Sequence, residues 1–388
     1  MKRVLIASFA CLSFAGYSQT APTTAPAAKE WDVSIYGFVR TDYIWDTRKS
    51  AQVREYNLNL YPLDEVKDAN GKDINDAGAS NFLSVVSRLG VKVKGPDVWG
   101  AKVNGTLEGD FFGNTESTIG LFRLRHAYAT LDWTKTSITM GQTWYPTFIP
   151  EVFPGVANFS TGIMFNPFGW ASQFKIKQNL SNNISFALTA YKEREFTTAT
   201  ATGGTQNSAS INSSLPTFHG QFQFKNKNWI AGLGAEFKSL QPLTASNNQV
   251  SDEKVNSTSF VGYFKYNNDK FHIKAYGITG GDMYNLVMLG GFAGYTTPGQ
   301  VEKYEATKTT SLWLDIASNN AKIAPGFFFG YTKNDGTGKD GATALYMRGT
   351  SGTRGVDNVW RAAARVDFKQ NKFRITPELE YTAATWGD

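Results

Sequence analysis

The feature that most constrains this chain is a two-residue alternation of apolar and polar side chains, repeated in segments of about ten residues and punctuated by short polar turns. In "FLSVVSRLGVKVK" (82–94), Leu83, Val85, Leu89, Val91 and Val93 share one strand face, while Ser84, Arg88, Lys92 and Lys94 share the other. In "AKVNGTLEGD" (101–110), Val103 and Leu107 oppose Lys102, Asn104, Thr106, Glu108 and Asp110. In "GLFRLRHAYATLDW" (120–133), Phe122, Leu124 and Tyr128 alternate with Arg123 and Arg125. Such segments have one oily face, and the question is whether it meets a protein core or lipid.

The turns answer it. Short polar breaks fall at 95–100, 134–137, 180–183, 225–228, 267–270, 318–322 and 369–372, and between them lie longer segments rich in Gly, Asn, Thr and Asp, at 46–80, 113–118, 145–169, 197–215, 241–256, 282–308 and 334–356. Short turns on one side and long loops on the other are the asymmetry of an outer-membrane barrel. Trp99, Trp133, Trp229 and Tyr266 sit at or beside short turns, where an aromatic girdle belongs. Aromatics make up 14% of the chain, yet beyond the leader no run of eighteen apolar residues occurs, which excludes a helical membrane protein. A soluble solenoid or sandwich is the competing reading and lacks a reason for this turn asymmetry.

The expected fold class is therefore all-β, a transmembrane antiparallel β-barrel. Seven short turns join fourteen strands, and one earlier strand over Asp32 to Trp45 makes fifteen. Single-chain bacterial barrels have even strand numbers, so the expectation is 16 strands with about 15 present, the C-terminal one missing and the sequence a fragment. Residues 1–18, with Lys2, Arg3, an apolar run to Ala15 and small residues at Gly16 and Ser18, read as a cleaved signal peptide. Residues 19–31 read as a short periplasmic tether and 32–388 as the barrel. The single cysteine, Cys11, leaves with the leader, so the mature chain has no disulfide.

On a lipid face an arginine costs roughly 2–4 kcal/mol at mid-membrane, so Arg123 and Arg125 should face the lumen. Of thirteen arginines only Arg194 lies between His126 and Met347; the others fall early or late in the chain. Closure would make the first and last strands one wall, and strand parity allows Arg40, Arg88, Arg123, Arg125, Arg361, Arg365 and Arg374 to point inward from it as channel-lining, anion-binding groups. Asp42, Glu108, Asp110 and Asp367 share that parity, and a bracing set of ion pairs is the alternative. The segment 145–169 has Pro146, Pro150, Pro154 and Pro167 among many aromatics, unlike a solvated loop, and is expected to fold inward with Tyr145, Phe148 and Glu151 near a constriction.

"LEGDFFG" (107–113), "FRLRHAYATLDW" (122–133) and "GQTW" (141–144), following "YGFVRTDY" (36–43), resemble the DcaP-like trimeric porins of Gram-negative outer membranes, most closely over 32–170. The resemblance implies a homotrimer in outer-membrane lipid that passes dicarboxylates and other small anions through an arginine-lined channel, with Arg123 and Arg125 inside the matching motif. The expected function is passive diffusion of such solutes; a phosphate-selective porin and a non-conducting structural or adhesin barrel are the alternatives. No enzyme is expected, since His126, His219 and His272 each lie within a strand segment and no nucleophile motif accompanies them. No cofactor or metal is expected, and with a net charge of +6 and no lysine block, no nucleic acid either. The glycine-rich 280–294 reads as an outer loop.

Overall fold

Residues 31–159, 162–351 and 354–387 are described in the computed structural model. The expected leader, its Cys11 and nearly all of the tether lie outside them. The described chain is built from 26 strand segments and three short helical turns. None of the helices is long and apolar enough to cross a membrane, which says nothing about strands.

Seventeen segments form one antiparallel sheet. One is a two-residue stub, and two adjacent ones belong to a single pass, so fifteen crossings result. They are β1 (Asp32–Phe38), β2 (Arg88–Val98), β3 (Ala101–Asp110), β4 (Arg123–Asp132), β5 (Thr136–Trp144), β6 (Trp170–Asn179), β7 (Ile184–Glu193), β8 (Thr217–Lys225), β9 (Trp229–Leu240), β10 (Val255–Asn267), β11 (Phe271–Gly281), β12 (Lys308–Ser318), β13 (Ile323–Gly336), β14 (Arg354–Gln370) and β15 (Phe373–Ile375 with Glu378–Gly387). Each pairs with its sequence neighbours, the order a chain of hairpins dictates.

Four expectations about the strands need correction. The sheet is not a closed 16-stranded barrel: among the described residues β1 pairs only with β2 and β15 only with β14. The strand total is larger than expected because the long loops carry strands of their own, where backbone left outside the main sheet still needs hydrogen-bond partners. The glycine-rich stretch, for example, contributes Gly290–Tyr295 to a small sheet with Lys303–Ala306 and Ala344–Arg348. The first strand ends at Phe38 instead of running to Trp45, since Asp42–Asp46 leaves the main sheet to pair with Ala79–Leu83. Nor does one face run unbroken from Leu83 to Val93. A turn at Ser84–Ser87 intervenes, burying Leu83 and Val86.

A β-bulge corrects the reading of 120–133. Glu108 pairs with His126 but Gly109 pairs with Leu124, so Arg125 is the extra residue. The bulge reverses parity along β4, and Tyr128 lies on the face opposite Phe122 and Leu124. Gln142 on β5 donates to the carbonyls of Leu124 and Arg125 at 3.3 Å and satisfies the kinked backbone.

The outward face is apolar. Ile35, Leu89, Leu107, Phe222, Leu233, Phe260, Leu312 and Leu379 are exposed along successive strands, as lipid contact requires. Trp229 and Tyr266 pack together at 4.5 Å beside a short turn, and Trp133 donates to the Trp99 carbonyl beside another. Inside, the sheet curls around the 145–169 loop, whose Ile149, Val152, Ile163, Met164, Phe165 and Phe168 make up much of the buried core.

Candidate functional site

Cross-strand partners share a face, so the register fixes which side chains look inward without reference to any solute. Arg123 on β4 opposes Asp110; Lys175 on β6 opposes Thr139 and Thr189; Thr189 opposes His219; His219 opposes Glu236. Lys225 opposes Ile230, which opposes Lys265, which opposes Lys274, which opposes Asp315, and the chain of partners continues through Phe328 to Ala363 and Glu380. These residues therefore lie on one face, and it is the face that the 145–169 loop touches.

The loop leaves β5 and reaches far round that face. Tyr276 on β11 donates to the Thr147 carbonyl at 2.7 Å, and Trp313 on β12 donates to Asn166 at 3.1 Å. Arg361 on β14 donates to the Ile163 carbonyl at 3.1 Å, while Glu378 on β15 accepts from the Ala157 amide at 2.8 Å. Arg40, just after β1, donates to the Ala157 carbonyl at 2.5 Å, so the loop links the two edges that no ladder joins. Phe165 lies so close to Gly330 that a Cβ there would sit 2.4 Å from its ring, which makes glycine a packing requirement at that position. Four prolines cut the number of unfolded conformations such a segment must give up.

Of the expected constriction residues, Tyr145 and Phe148 are buried. Tyr145 donates to the Phe196 carbonyl at 2.5 Å, and Phe148 stacks on Trp144 with centroids 4.0 Å apart. Only Glu151 is at an accessible tip. It accepts from Lys225 at 2.5 Å and from Gln223 at 3.4 Å. Burial works to raise the Glu151 carboxyl, but the bond to Lys225 and the charges of Lys225 and Lys177 outweigh it and hold the group below the usual carboxylate range.

The seven arginines expected to line the channel all have carboxylate partners. Arg123 binds Asp110 at 2.7 Å and Glu195 at 2.6 Å, and Arg125 binds Glu108 at 2.9 Å and Asp110 at 3.0 Å. Both guanidinium groups also lie over rings, Arg123 at 4.3 Å from the Phe112 centroid and Arg125 at 4.4 Å from that of Trp170. Arg88 approaches Glu108 at 3.5 Å. On the other side of the unpaired edge Arg361 meets Glu380 at 3.1 Å and Arg365 meets Asp315 at 2.8 Å. Arg40 pairs with Asp42 at 2.6 Å, and Arg374, half exposed, comes within 4.0 Å of Asp367. Asp42, Glu108, Asp110 and Asp367 are thus partners of this group, and Glu195, Asp315 and Glu380 complete it. Outside the strands, burial pushes the Glu195 carboxyl up even against the Arg123 charge.

The lysines form the part that arginine counting missed. Lys175, Lys177, Lys225, Lys265 and Lys274 share the inner face of β6, β8, β10 and β11. Among the described residues only Lys225 of these five is in an ion pair, with Glu151; Lys274 donates to the Phe153 carbonyl at 3.0 Å. The signal was present in the sequence as Lys-Ile-Lys at 175–177, between the outward Phe174 and a short turn. A cavity of about 380 Å³ opens between this wall and the loop tip, lined by Glu151, Phe153, Lys225, Lys265 and Lys274 among others. A loop spanning a lumen, with unneutralised ammonium groups beside it, can narrow a water path and concentrate anions in it. No group of His, Cys, Asp and Glu suited to a metal occurs among the described residues.

Comparison with known proteins agrees with this architecture. The family model described as DcaP outer membrane protein matches residues 12–297. The crystal structure of the outer membrane channel DcaP of Acinetobacter baumannii is similar at a TM-score of 0.68 and 20% identity, over 92% of this chain and 91% of that one. An anion-selective porin from Comamonas acidovorans is similar at 0.56 and 13% over 92% and 90%, and outer-membrane-expressed OmpT of Vibrio cholerae at 0.53 and 12% over 92% and 89%. Comparison with curated protein sequences gives no match.

Proposed function

The chain belongs to the DcaP outer membrane protein family, and from that premise we propose that it is a passive porin for small anionic solutes, dicarboxylates among them, working as a homotrimer. Its place is the outer membrane, and its family and structural neighbours are channels. The observation that carries the anion preference is the contrast on the inner face: arginines bound to carboxylates on one wall, and on the other Lys175, Lys177, Lys265 and Lys274, which make no ion pair among the described residues, beside the paired Lys225 and Lys238. A paired charge acts at a distance as a dipole, whose field falls off faster than that of an unpaired charge, so the lysine wall dominates the potential a diffusing solute meets. Arg123 and Arg125 then serve chiefly to brace their own wall, and the inward loop, with Glu151 at its accessible tip, sets the width of the path.

Reversal potentials across planar bilayers under a potassium chloride gradient test the reading. The wild-type protein should favour chloride, and exchanging Lys175, Lys177 and Lys265 for Gln should bring the reversal potential towards zero. A wild-type preference for potassium would overturn the anion assignment, and a protein that inserts without conducting would favour the non-conducting barrel. Cross-linking in detergent that yields only monomers would remove the homotrimer.

A further inference from the structure

The cavity at the loop tip contains an arrangement that bracing does not explain. Lys265 on β10 and Lys274 on β11 are direct cross-strand partners on the inner face. Like charges placed so are destabilising, and among the described residues neither ammonium group is in an ion pair, the carboxylate opposite Lys274 being shared with Arg365. Asp315, opposite Lys274, has both oxygens engaged by Arg365 at 2.8 and 3.2 Å, and Glu151 is held by Lys225. An anion between the two ammonium groups would relieve the repulsion and accept from both.

The walls beside that point are apolar on one side. Phe153 lies with its ring centroid 5.4 Å from the Lys274 ammonium and stacks on Phe148 at 5.8 Å, while Pro150 and Ile230 also line the cavity. Glu151 contributes a negative charge to the same lining, which disfavours a second carboxylate there. From this combination we infer that the cavity is a binding station for small monocarboxylates bearing a flat apolar body, the carboxylate seated between Lys265 and Lys274 and the body against Phe153. The inference rests on the porin reading and adds a ligand class to it: compact anions pass, and an arylcarboxylate lodges.

Single-channel recording with benzoate, acetate and succinate as added sodium salts tests it. Benzoate should interrupt the wild-type current at about fivefold lower concentration than acetate, the increment expected from ring stacking and apolar burial, and lower than succinate. Phe153→Leu, apolar but not flat, should cut the benzoate advantage to less than about twofold. Lys265→Gln should weaken interruption by benzoate and acetate alike, and it does not depend on the loop tolerating a change at Phe153. Equal interruption of the wild-type channel by benzoate and acetate would overturn the inference, as would a benzoate advantage that survives Phe153→Leu. Either result leaves a conducting anion porin intact. Wild-type protein that never conducts would remove both readings.

Discussion

The two inner walls of this protein carry the same sign of side chain and use it differently. On β3 and β4, guanidinium groups nine-tenths buried or more meet carboxylates and lie over aromatic rings, as Arg123 and Arg125 do with Asp110, Glu108, Phe112 and Trp170. Around the cavity on β8 to β11, the ammonium groups of Lys225, Lys265 and Lys274 face the loop tip, and Glu151 is the carboxylate in that lining. Arginine suits the first role because its planar fork can hold two carboxylates at once and is more weakly hydrated; lysine suits the second because a strongly hydrated point charge keeps its field in water. Number of positive charges is therefore a poor guide to which wall a solute meets; the number of unpaired ones is the useful quantity.

Replacing residues on each wall should separate stability from selectivity. The largest effect is expected for Arg125→Ala. It leaves Glu108 and Asp110 buried with less compensation and should cost about 3–5 kcal/mol, read as a lowered urea midpoint of the folded protein in detergent. If the midpoint moves by less than about 1 kcal/mol, the arginine wall is not the brace described here. Next in size, Lys175→Gln with Lys177→Gln should leave that midpoint unchanged while lowering the chloride-to-potassium permeability ratio by a factor of about three to five, the effect of roughly 1 kcal/mol of lost attraction. The same ratio in the double variant and the wild type would mean that selectivity arises elsewhere.

Tyr276→Phe removes the bond to the Thr147 carbonyl and should cost about 1 kcal/mol in loop anchoring, seen as increased open-channel noise with mean conductance little changed. The smallest effect concerns pH. Because the Glu151 carboxyl is depressed in the folded protein, its pairing with Lys225 stabilises the loop tip above the ordinary carboxylate range and is lost as pH falls through the depressed value. Conductance should be flat from neutral pH down through the ordinary carboxylate range and change only below it. In Glu151→Gln that acid step should be absent, and its persistence would assign it to another group.

The sequence by itself determined the alternation, the hairpin order, the outward apolar face and the resemblance that the family match bears out, because a period of two and a turn of a few residues are local properties of the chain. It also carried four of the seven carboxylate partners of the arginines, since Asp42, Glu108, Asp110 and Asp367 have the right parity, but parity did not point to Glu195, Asp315 or Glu380 and cannot say whether two inward charges meet. Tertiary structure decided that. A single bulge at Arg125 re-aimed half of β4, the loop buried Tyr145 and Phe148 instead of lining a path with them, and β1 and β15 were linked through Ala157 with no ladder between them. Which charges stay unpaired depends on contacts between residues tens to hundreds of positions apart, and no pattern within one strand records those distances.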